Sequence, residues 1–503
     1  MTYDLIIVGA GPCGIFAAWE AAKIDPSAKI LMIDRGVDIY SRKCPIMSKK
    51  ARLCPTSHGE NGLAGCKPAC SITCGFGGAG AYSDGKFNIT AEFGGWLGDY
   101  MPSSKLLELI NYVDSINLAN GAPPEVTDPD SPAVSAIEQK VYGAGMKLLR
   151  AKVRHLGTEM NLRVMQSIYD ALSDKVEMLF KTEVVDILTR AEGGGTAAAG
   201  GELRAAADVE TMGGYVETAA AGGELRAVGV VTKEGKEFYA KNILLAPGRD
   251  GSAWLAGLLE KRGVHVFCNQ VDVGVRAETS NVVMQDINRH LYEAKLIFNS
   301  STGSVVRTFC ANPSGYVVVE NHSGVIAANG HSYFDPALGS CNTNFALLVS
   351  HIFTKPFNKP NEYAREICRR ANDLASGGLI IQKFGDIVRG RRSTERRIAE
   401  GFLEPTLKEA VPGDLGLVLP YNTLESLIEM TRALDKVTPG FASEHTLFYG
   451  VEAKFYSARP ALRSDLQTAI AGLYCAGDGA GITRGLAQAG AAGVHVARSI
   501  FLK

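Results

Sequence analysis

Four apolar residues, Leu5 to Val8, follow Tyr3-Asp4 and stop at Gly9, which reads as a strand over 3–8 buried on both faces. Beyond the turn Gly9-Ala10-Gly11-Pro12-Cys13-Gly14, residues 15–22 have helix-forming composition, and a second strand over 29–33 ends at Asp34 and Arg35. Leu106, Leu109, Ile110 and Val113 share one face of a helix predicted over 103–116, capped by Ser103 or Ser104. Helices are also predicted over 137–156 and 158–172. An extended segment comes next over 176–185, and a strand over 241–248 runs into glycine. From about 264 to 446 the pattern changes to short strands, over 271–277, 296–298, 305–310, 316–320 and 325–328, and then helices over 359–375 and 422–434. A last short strand, Leu473-Tyr474-Cys475, meets a second glycine turn ahead of a helix over 486–497.

The first of these units has the order of a dinucleotide fingerprint. Gly9 permits the tight turn, Gly11 lets the main chain approach a pyrophosphate, and Gly14 lets the helix sit close to the strand. The helix N-terminus then offers free N–H groups and a positive dipole end to phosphates. Asp34, twenty residues beyond Gly14, can accept hydrogen bonds from a ribose diol. Gly75–Gly80 repeats the glycine spacing, but with no strand before it and no helical pattern after it, so it reads as a loop and not as a second nucleotide site.

The fingerprint serves NAD and FAD alike, and the far end of the chain decides between them. The segment Gly477-Asp478-Gly479-Ala480-Gly481 before a helix that begins near Gly485-Leu486 resembles the C-terminal flavin motif of the glutathione-reductase-like FAD superfamily. That resemblance implies that Asp478 holds the ribityl chain and that the following helix points its N-terminus at the flavin. Lys241 to Gly248, with Ala246 and Gly248 at its end, resembles the strand-and-glycine motif that closes the meander over the cofactor. Residues 176–185, including Val184, resemble the strand whose backbone meets the adenine. With Gly75-Phe76-Gly77-Gly78-Ala79-Gly80, Ser83-Asp84-Gly85-Lys86, Arg307-Thr308-Phe309-Cys310 and Gly450-Val451-Glu452, the chain looks like a large group of bacterial and archaeal FAD-dependent dehydrogenases without an assigned reaction. It departs from many of them in having Ile482-Thr483-Arg484-Gly485-Leu486 after the last motif. The resemblance implies an α/β fold: a Rossmann-like FAD-binding domain, with a parallel sheet and a β-meander, and an inserted mixed α+β substrate domain. The expected boundaries are 1–263 and 447–503 for the FAD-binding domain and 264–446 for the substrate domain. Within the first part, 191–227 reads as a low-complexity insertion, because the ten residues from Thr196 recur unchanged from Thr218.

Composition narrows the picture. With 52 basic and 53 acidic residues the net charge is −1, so no overall field draws nucleic acid or an anionic membrane. No window reaches the roughly 18–20 apolar residues of a spanning helix. Eleven cysteines, five of them between Cys44 and Cys74, do not form a disulfide framework and fit a reducing cytoplasm. Cys66, Cys70 and Cys74 repeat every four residues, which on a helix lines sulfurs in a row and argues against a preformed zinc site, and the two-residue spacings usual for an iron–sulfur cluster are absent. Reduced, buried thiols are the first reading, with a flavin-linked dithiol, or a loop that gathers Cys44 or Cys54 with them around a metal or cluster, as the alternatives.

The expected reaction is hydride transfer between flavin N5 and a small organic substrate, with a side chain to move the proton. The alternatives are a thiol–disulfide reductase using the cysteine cluster and an electron-transfer flavoprotein served by a redox partner protein. NAD(P)H is a candidate donor, although no second strand–glycine–helix unit is present for it. Lys86 can stabilise negative charge at the flavin N1 and O2, and Gly77, Gly78, Ala79, Ser83 and Asp84 line the cofactor. His331 and Tyr333 are candidate acid or base groups. Arg307 and Arg276 can bind a carboxylate or sit in structural ion pairs, and Arg459 resembles a segment near the flavin in relatives. The run Arg389, Arg391, Arg392, Arg396, Arg397 reads as a solvated face partly neutralised by Glu395 and Glu400. It has too few aromatic neighbours for base stacking.

Overall fold

A computed structural model describes residues 1–45, 50, 69–83, 85–191, 225–291, 294–322, 324–333 and 335–502. The chain divides into two compact units: 1–126, 153–269 and 457–503 form the first, and 127–152 with 270–456 form the second.

The first unit is built on a seven-stranded sheet. Strands Glu177–Leu179, Ile30–Ile33, Thr2–Val8 and Glu237–Leu245 lie side by side and parallel, and Leu473–Cys475 adds in parallel to the last of them. Leu225–Thr232 and Val184–Ala191 continue from Glu237–Leu245 as antiparallel neighbours. Leu5, Ile6 and Ile7 are fully buried, as an unbroken apolar run predicts for a central parallel strand. Helix Pro12–Ile24 packs against helix Leu486–Phe501, and Ser103–Ala119 packs against the latter. Buried Glu20 links the three: it accepts from Arg498 Nε at 2.7 Å and from the Tyr112 hydroxyl at 2.5 Å.

The second unit has an eight-stranded sheet in the order Val411–Pro412, Ile380–Lys383, Leu447–Lys454, Val271–Ser280, Asn342–His351, Val305–Asn312, Lys295–Asn299 and Met146–Leu149. Only the first pair is parallel, so the sheet is mixed. Along Val271–Ser280 the two-residue period separates Val271, Val273, Val275 and Ala277 from Asp272, Arg276 and Glu278. The apolar set joins a core with helices Pro132–Gly143, Asn281–His290, Pro360–Leu374 and Tyr421–Asp435. The polar set is just as buried, and each member has partners. Arg276 donates from Nε and Nη2 to Glu452 at 2.7 and 3.0 Å, and from Nη1 to Cys310 O, Asn312 Oδ1 and Asn344 Oδ1. Glu278 accepts from the Tyr449 hydroxyl, Thr406 and Asn342, and burial pushes its carboxyl above the usual range.

Several expectations change. The helix predicted over 137–156 is the helix Pro132–Gly143 and then the strands Met146–Leu149 and Lys152–His155. Gly143 and Gly145, the latter at φ +78°, stop the helix, and pairing with Lys295–Asn299 draws Met146–Leu149 into the sheet. Neither serine caps the helix over 103–119, since Ser103 is its first residue and Pro102 occupies the cap. The segment 176–185 is broken at Lys181, φ +55°, into two strands. The low-complexity insertion is narrower than 191–227, because Ala191 ends one strand and Leu225-Arg226-Ala227 begin the next, with Ala227 fully buried. Residues 192–224 lie outside the described residues. The expected boundary at 447 moves to 457, because Leu447–Lys454 is an interior strand of the second unit's sheet, and 127–152 belong to that unit through Met146–Leu149.

Replacing Arg276 by Met strands Glu452 in the interior with only the Lys454 ammonium, 2.8 Å away. Loss of about 3–5 kcal/mol in denaturant unfolding is expected. Burial also holds the His351 and His495 imidazoles below the usual range. The unfolded chain then binds more protons near their ordinary pKa of about 6.5, so stability falls as pH drops through that value. The urea midpoint should decrease between pH 7.5 and 5.5, and His351→Gln with His495→Gln should flatten that decrease.

Candidate functional site

The first glycine turn is shaped by two close backbone approaches and one opening. A Cβ on Gly9, at φ +111°, would stand 2.3 Å from Ala246 O, and one on Gly14 would stand 2.0 Å from Gly9 O. A Cβ on Gly11 would meet nothing within 4 Å. Gly11 is also the N-cap of Pro12–Ile24 and, as a glycine, offers no side chain to cap the first-turn N–H groups. Asp34 ties this turn to the second glycine loop. Its Oδ2 accepts from Ala10 N at 2.8 Å, and its Oδ1 accepts from Gly36 N at 2.7 Å and Gly75 N at 2.9 Å. Those three bonds use most of the roughly four acceptor positions of a carboxylate, so Asp34 organises the loops in addition to any contact with a sugar. The neighbouring Arg35 lies 3.7 Å from Asp250.

The second loop is held to the first. Gly77 N donates to Ala10 O at 2.8 Å, and a Cβ on Gly78 would come within 3.1 Å of Gly11 Cα. Gly77 and Gly78 have φ +86° and +55°, and they lead into a short 3-10 turn, Gly78–Tyr82, where no helical pattern was expected. Buried Arg42 fixes the loop from beneath by donating to Ser71 O, Ile72 O and Phe76 O at 2.6–2.9 Å. Ala79 is exposed at its tip, and Gly80 O accepts from Ser83 Oγ and Asn161 Nδ2. A Cβ on Gly80 would stand 2.6 Å from Leu486 Cδ2 and 3.4 Å from Pro12 Cγ, the first residues of two helices. The N-termini of Pro12–Ile24 and Leu486–Phe501 thus meet at one loop. Lys86 opens the strand Lys86–Ile89 on the same stretch, and Asp84 lies outside the described residues.

The C-terminal turn completes the arrangement. A Cβ on Gly477, at φ +85°, would lie 3.3 Å from the Cys13 Cβ, and one on Gly479 would lie 2.1 Å from Pro247 O. Asp478 accepts from Thr483 Oγ1 at 2.8 Å, and burial pushes its carboxyl up against the opposing pull of Arg249, Thr483 and Arg484. Gly485, at φ +117°, is the N-cap of the last helix, again without a side-chain cap. A Cβ on Gly493 would be 2.0 Å from Cys13 O, so that helix seats directly on the first. Ala246 and Val184 are buried, whereas Gly248 is exposed with open space where a Cβ would stand. Residues 93–97 also join the site: Trp96 N donates to Ile482 O and Arg484 N to Gly94 O, both at 2.6 Å. No local pattern signals those bonds, and only the second glycine of Gly94-Gly95, whose Cβ would stand 2.5 Å from Thr483 Cα, hints at them.

Of the candidate catalytic side chains, Arg459 belongs to the first unit and His331, Tyr333 and Arg307 to the second. Arg459 is 8% exposed in the first unit, donates to Asp99 at 2.8 Å and lies over the Trp96 and Tyr100 rings. His331 and Tyr333 stand at the exposed end of the second unit's hairpin Tyr316–His322 and Val325–His331, edge to face at 4.8 Å. Arg307 projects from the sheet of that unit toward Asp272. Arg276 is structural, its guanidinium enclosed by Glu452, Asn312 and Asn344. In the basic run Arg389 pairs with Glu444, Arg391 with Asp386 and Arg396 with Glu400.

Cys74 is buried, and its thiol is pushed up by that burial, which disfavours a thiolate. Cys13 is likewise buried with a raised thiol pKa, as packing beside the turn predicts. Cys54 and Cys66 lie outside the described residues. Among the described residues no group of three or more His, Cys, Asp or Glu side chains is arranged to hold a metal ion, and no helix is long and apolar enough to cross a membrane.

Residues 271–455, nearly the whole of the longer segment of the second unit, match the family described as "FAD-dependent protein, C-terminal domain-like". An uncharacterized protein of Clostridium beijerinckii is 24% identical over 526 residues, covering 99% of this chain and 80% of its own. Among solved structures, a variant of E. coli quinol fumarate reductase is similar at 13% identity and a TM-score of 0.40, covering 100% of this chain and 70% of that one. L-proline dehydrogenase from P. horikoshii is similar at 11% identity and a TM-score of 0.37, covering 99% and 93%.

The glycines separate two kinds of substitution. Gly11→Val should leave the thermal midpoint of ligand-free protein nearly unchanged while abolishing nucleotide binding. Gly14→Val drives a side chain into the Gly9 carbonyl and should lower the midpoint severely. Differential scanning calorimetry with and without FAD distinguishes the two.

Proposed function

We propose that this protein is an FAD-dependent oxidoreductase, with the flavin held by a Rossmann-like first unit and a small organic substrate served by the second. The observation that carries the reading is the meeting of two uncapped helix N-termini at the Gly75–Gly80 loop, beside the opening that Gly11 leaves. A dinucleotide carries two phosphates and a long polar tail, and backbone N–H groups with helix dipoles suit the first of these needs. The match of 271–455 to an FAD-dependent family supports FAD over NAD.

In this reading Gly11, Pro12, Cys13 and Gly14 admit the pyrophosphate, with Gly77 and Gly78 covering it. Asp34 and Arg35 stand toward the adenosine end with Val184, Ala246 and Gly248. Asp478 holds the ribityl chain, its carboxylate oriented by Thr483, and Gly485 and Leu486 present the last helix to the flavin ring. When bound, FAD supplies hydride or single-electron transfer. Lys86 and the uncapped N-terminus of Leu486–Phe501 then favour negative charge in their vicinity. NAD(P)H or a protein donor are the proposed sources of electrons. The buried Cys74 thiol gives no support to a disulfide-reductase reading.

Titrating ligand-free protein with FAD under fluorescence should give saturable quenching at one equivalent per chain, and Asp478→Ala should weaken binding about tenfold or more. Anaerobic mixing with NADH, NADPH and a panel of organic acids, enones and amines should bleach the flavin bands with at least one donor. Protein that is folded by circular dichroism yet takes up no FAD ends this reading.

A further inference from the structure

In the first unit, strand Glu237–Leu245 ends in Ala246-Pro247-Gly248, and this short main-chain segment touches both glycine turns. A Cβ on Gly9 would stand 2.3 Å from Ala246 O and 3.3 Å from Pro247 N. Toward the C-terminal turn, Gly479 N donates to Pro247 O at 3.1 Å, and a Cβ on Gly479 would stand 2.7 Å from Gly248 O. Gly248 itself is exposed, and a Cβ there, like one on Gly11, would meet nothing within 4 Å. The chain then enters a 3-10 turn, Arg249–Gly251, so Arg249 carries the first side chain beyond the junction of the two turns.

The two acids on either side of Arg249 fix where it stands. Asp250 is turned to the second glycine loop, accepting from Thr73 Oγ1 at 2.7 Å and lying 3.7 Å from Arg35. In the other direction the Arg249 charge attracts the buried Asp478 carboxylate. Arg249 is exposed, and among the described residues its guanidinium makes no hydrogen bond and has no carboxylate within 4 Å. The neighbouring cations are engaged: Arg35 with Asp250, and buried Arg42 with three loop carbonyls. Asp34, Asp250 and Asp478 already set three carboxylates around these turns, and a pyrophosphate adds two negative charges to them. Helix N-termini offer it only about half a charge each, so a full cation is needed to offset the repulsion. The planar fork of a guanidinium matches phosphate oxygens bidentately.

We propose that Arg249 grips the pyrophosphate of the bound dinucleotide, a role for a side chain that belongs to neither glycine motif. Its place between Asp250, beside Arg35 at the adenosine end, and Asp478 at the ribityl end follows the order of adenosine, pyrophosphate and ribityl chain in FAD. The inference rests on the FAD reading for the identity of the dinucleotide; the grip on a diphosphate does not need the flavin.

The full chain and its Arg249→Met and Arg249→Lys variants are titrated with FAD, followed by fluorescence, and with ADP, followed by calorimetry, at about 0.05 and about 0.5 M salt. At low salt Arg249→Met should weaken both ligands about tenfold or more, and Arg249→Lys by a smaller factor. The deficit should shrink at high salt, because an exposed charge is screened. Exposed Arg190 lies six residues along its strand from Val184, roughly 20 Å away; Arg190→Gln removes the same charge and should bind as the parent does. Circular dichroism checks that each variant is folded. An Arg249 that served only to orient Asp478 would affect FAD and spare ADP, which has no ribityl chain. That result, a folded Arg249→Met that binds both ligands undiminished, or an equal loss in Arg190→Gln overturns the proposal. ADP binding by protein that takes up no FAD sinks the flavin reading alone. Protein that takes up FAD equally well with and without Arg249 sinks this inference alone, and protein that binds neither ligand sinks both.

Discussion

The close approach of backbone to backbone around the first glycine turn is the constraint on which the first unit depends. Gly14 against Gly9 O, Gly493 against Cys13 O and Gly479 against Pro247 O all lie at distances that a Cβ would close to between 2.0 and 2.1 Å. These contacts bring residues 9–14, 246–248 and 477–493 to one place, and any side chain at them pries the segments apart. The closest approaches are between main-chain atoms and are set by sterics, while the Asp34 carboxylate and the Arg42 guanidinium hold the two glycine loops in place. A phosphate can then be met by N–H groups that are already oriented.

The second unit solves a different problem. Its central strand alternates Val271, Val273 and Val275 with Asp272, Arg276 and Glu278, and the sheet buries both sets. Burial of a charge is tolerable only when it is paired and fully hydrogen-bonded. Arg276 meets that condition completely through Glu452 and three further acceptors, which makes it a structural residue. Arg307 meets it at one nitrogen only. The same residue type on the same face is enclosed in one case and partly exposed in the other, and the difference lies in how many acceptors the neighbouring strands contribute.

How far the sequence could be read depends on the range of the interactions involved. The glycine turns were legible because their demands are local: a strand, a positive φ and a helix within twenty residues. The strands beginning at 271, 305, 316 and 325 were legible from two-residue alternation or β-branched runs. Residues 144–156 were read as helix because Met146-Lys147-Leu148-Leu149 has no helix-breaking residue of its own; only the distant partner strand Lys295–Asn299 makes it a strand. The bonds of Arg42 to the loop carbonyls, of Asp99 to Arg459 and of Gly94 to Arg484 join positions 30 to 390 residues apart, and no periodicity encodes them. Asp34 shows the same limit from the other side. Its position was legible, but its bonds to Ala10, Gly36 and Gly75 depend on a loop that the sequence places only in order and not in space.

The two units therefore carry different kinds of information about chemistry. In the first, the proposed cradle is made of main-chain groups and of glycines such as Gly9, Gly14, Gly479 and Gly493 that leave no room for a side chain, and these say little about a substrate. In the second, side chains such as Arg307 and Phe309 stand on a sheet and can change without disturbing the strand pairing beneath them. Main-chain hydrogen bonds hold Lys295–Asn299, Val305–Asn312 and Asn342–His351 in register whatever those side chains are. Under the proposed reading, substitutions in the main-chain cradle of the first unit and on the sheet surface of the second act on separate cores, so their effects on stability should add.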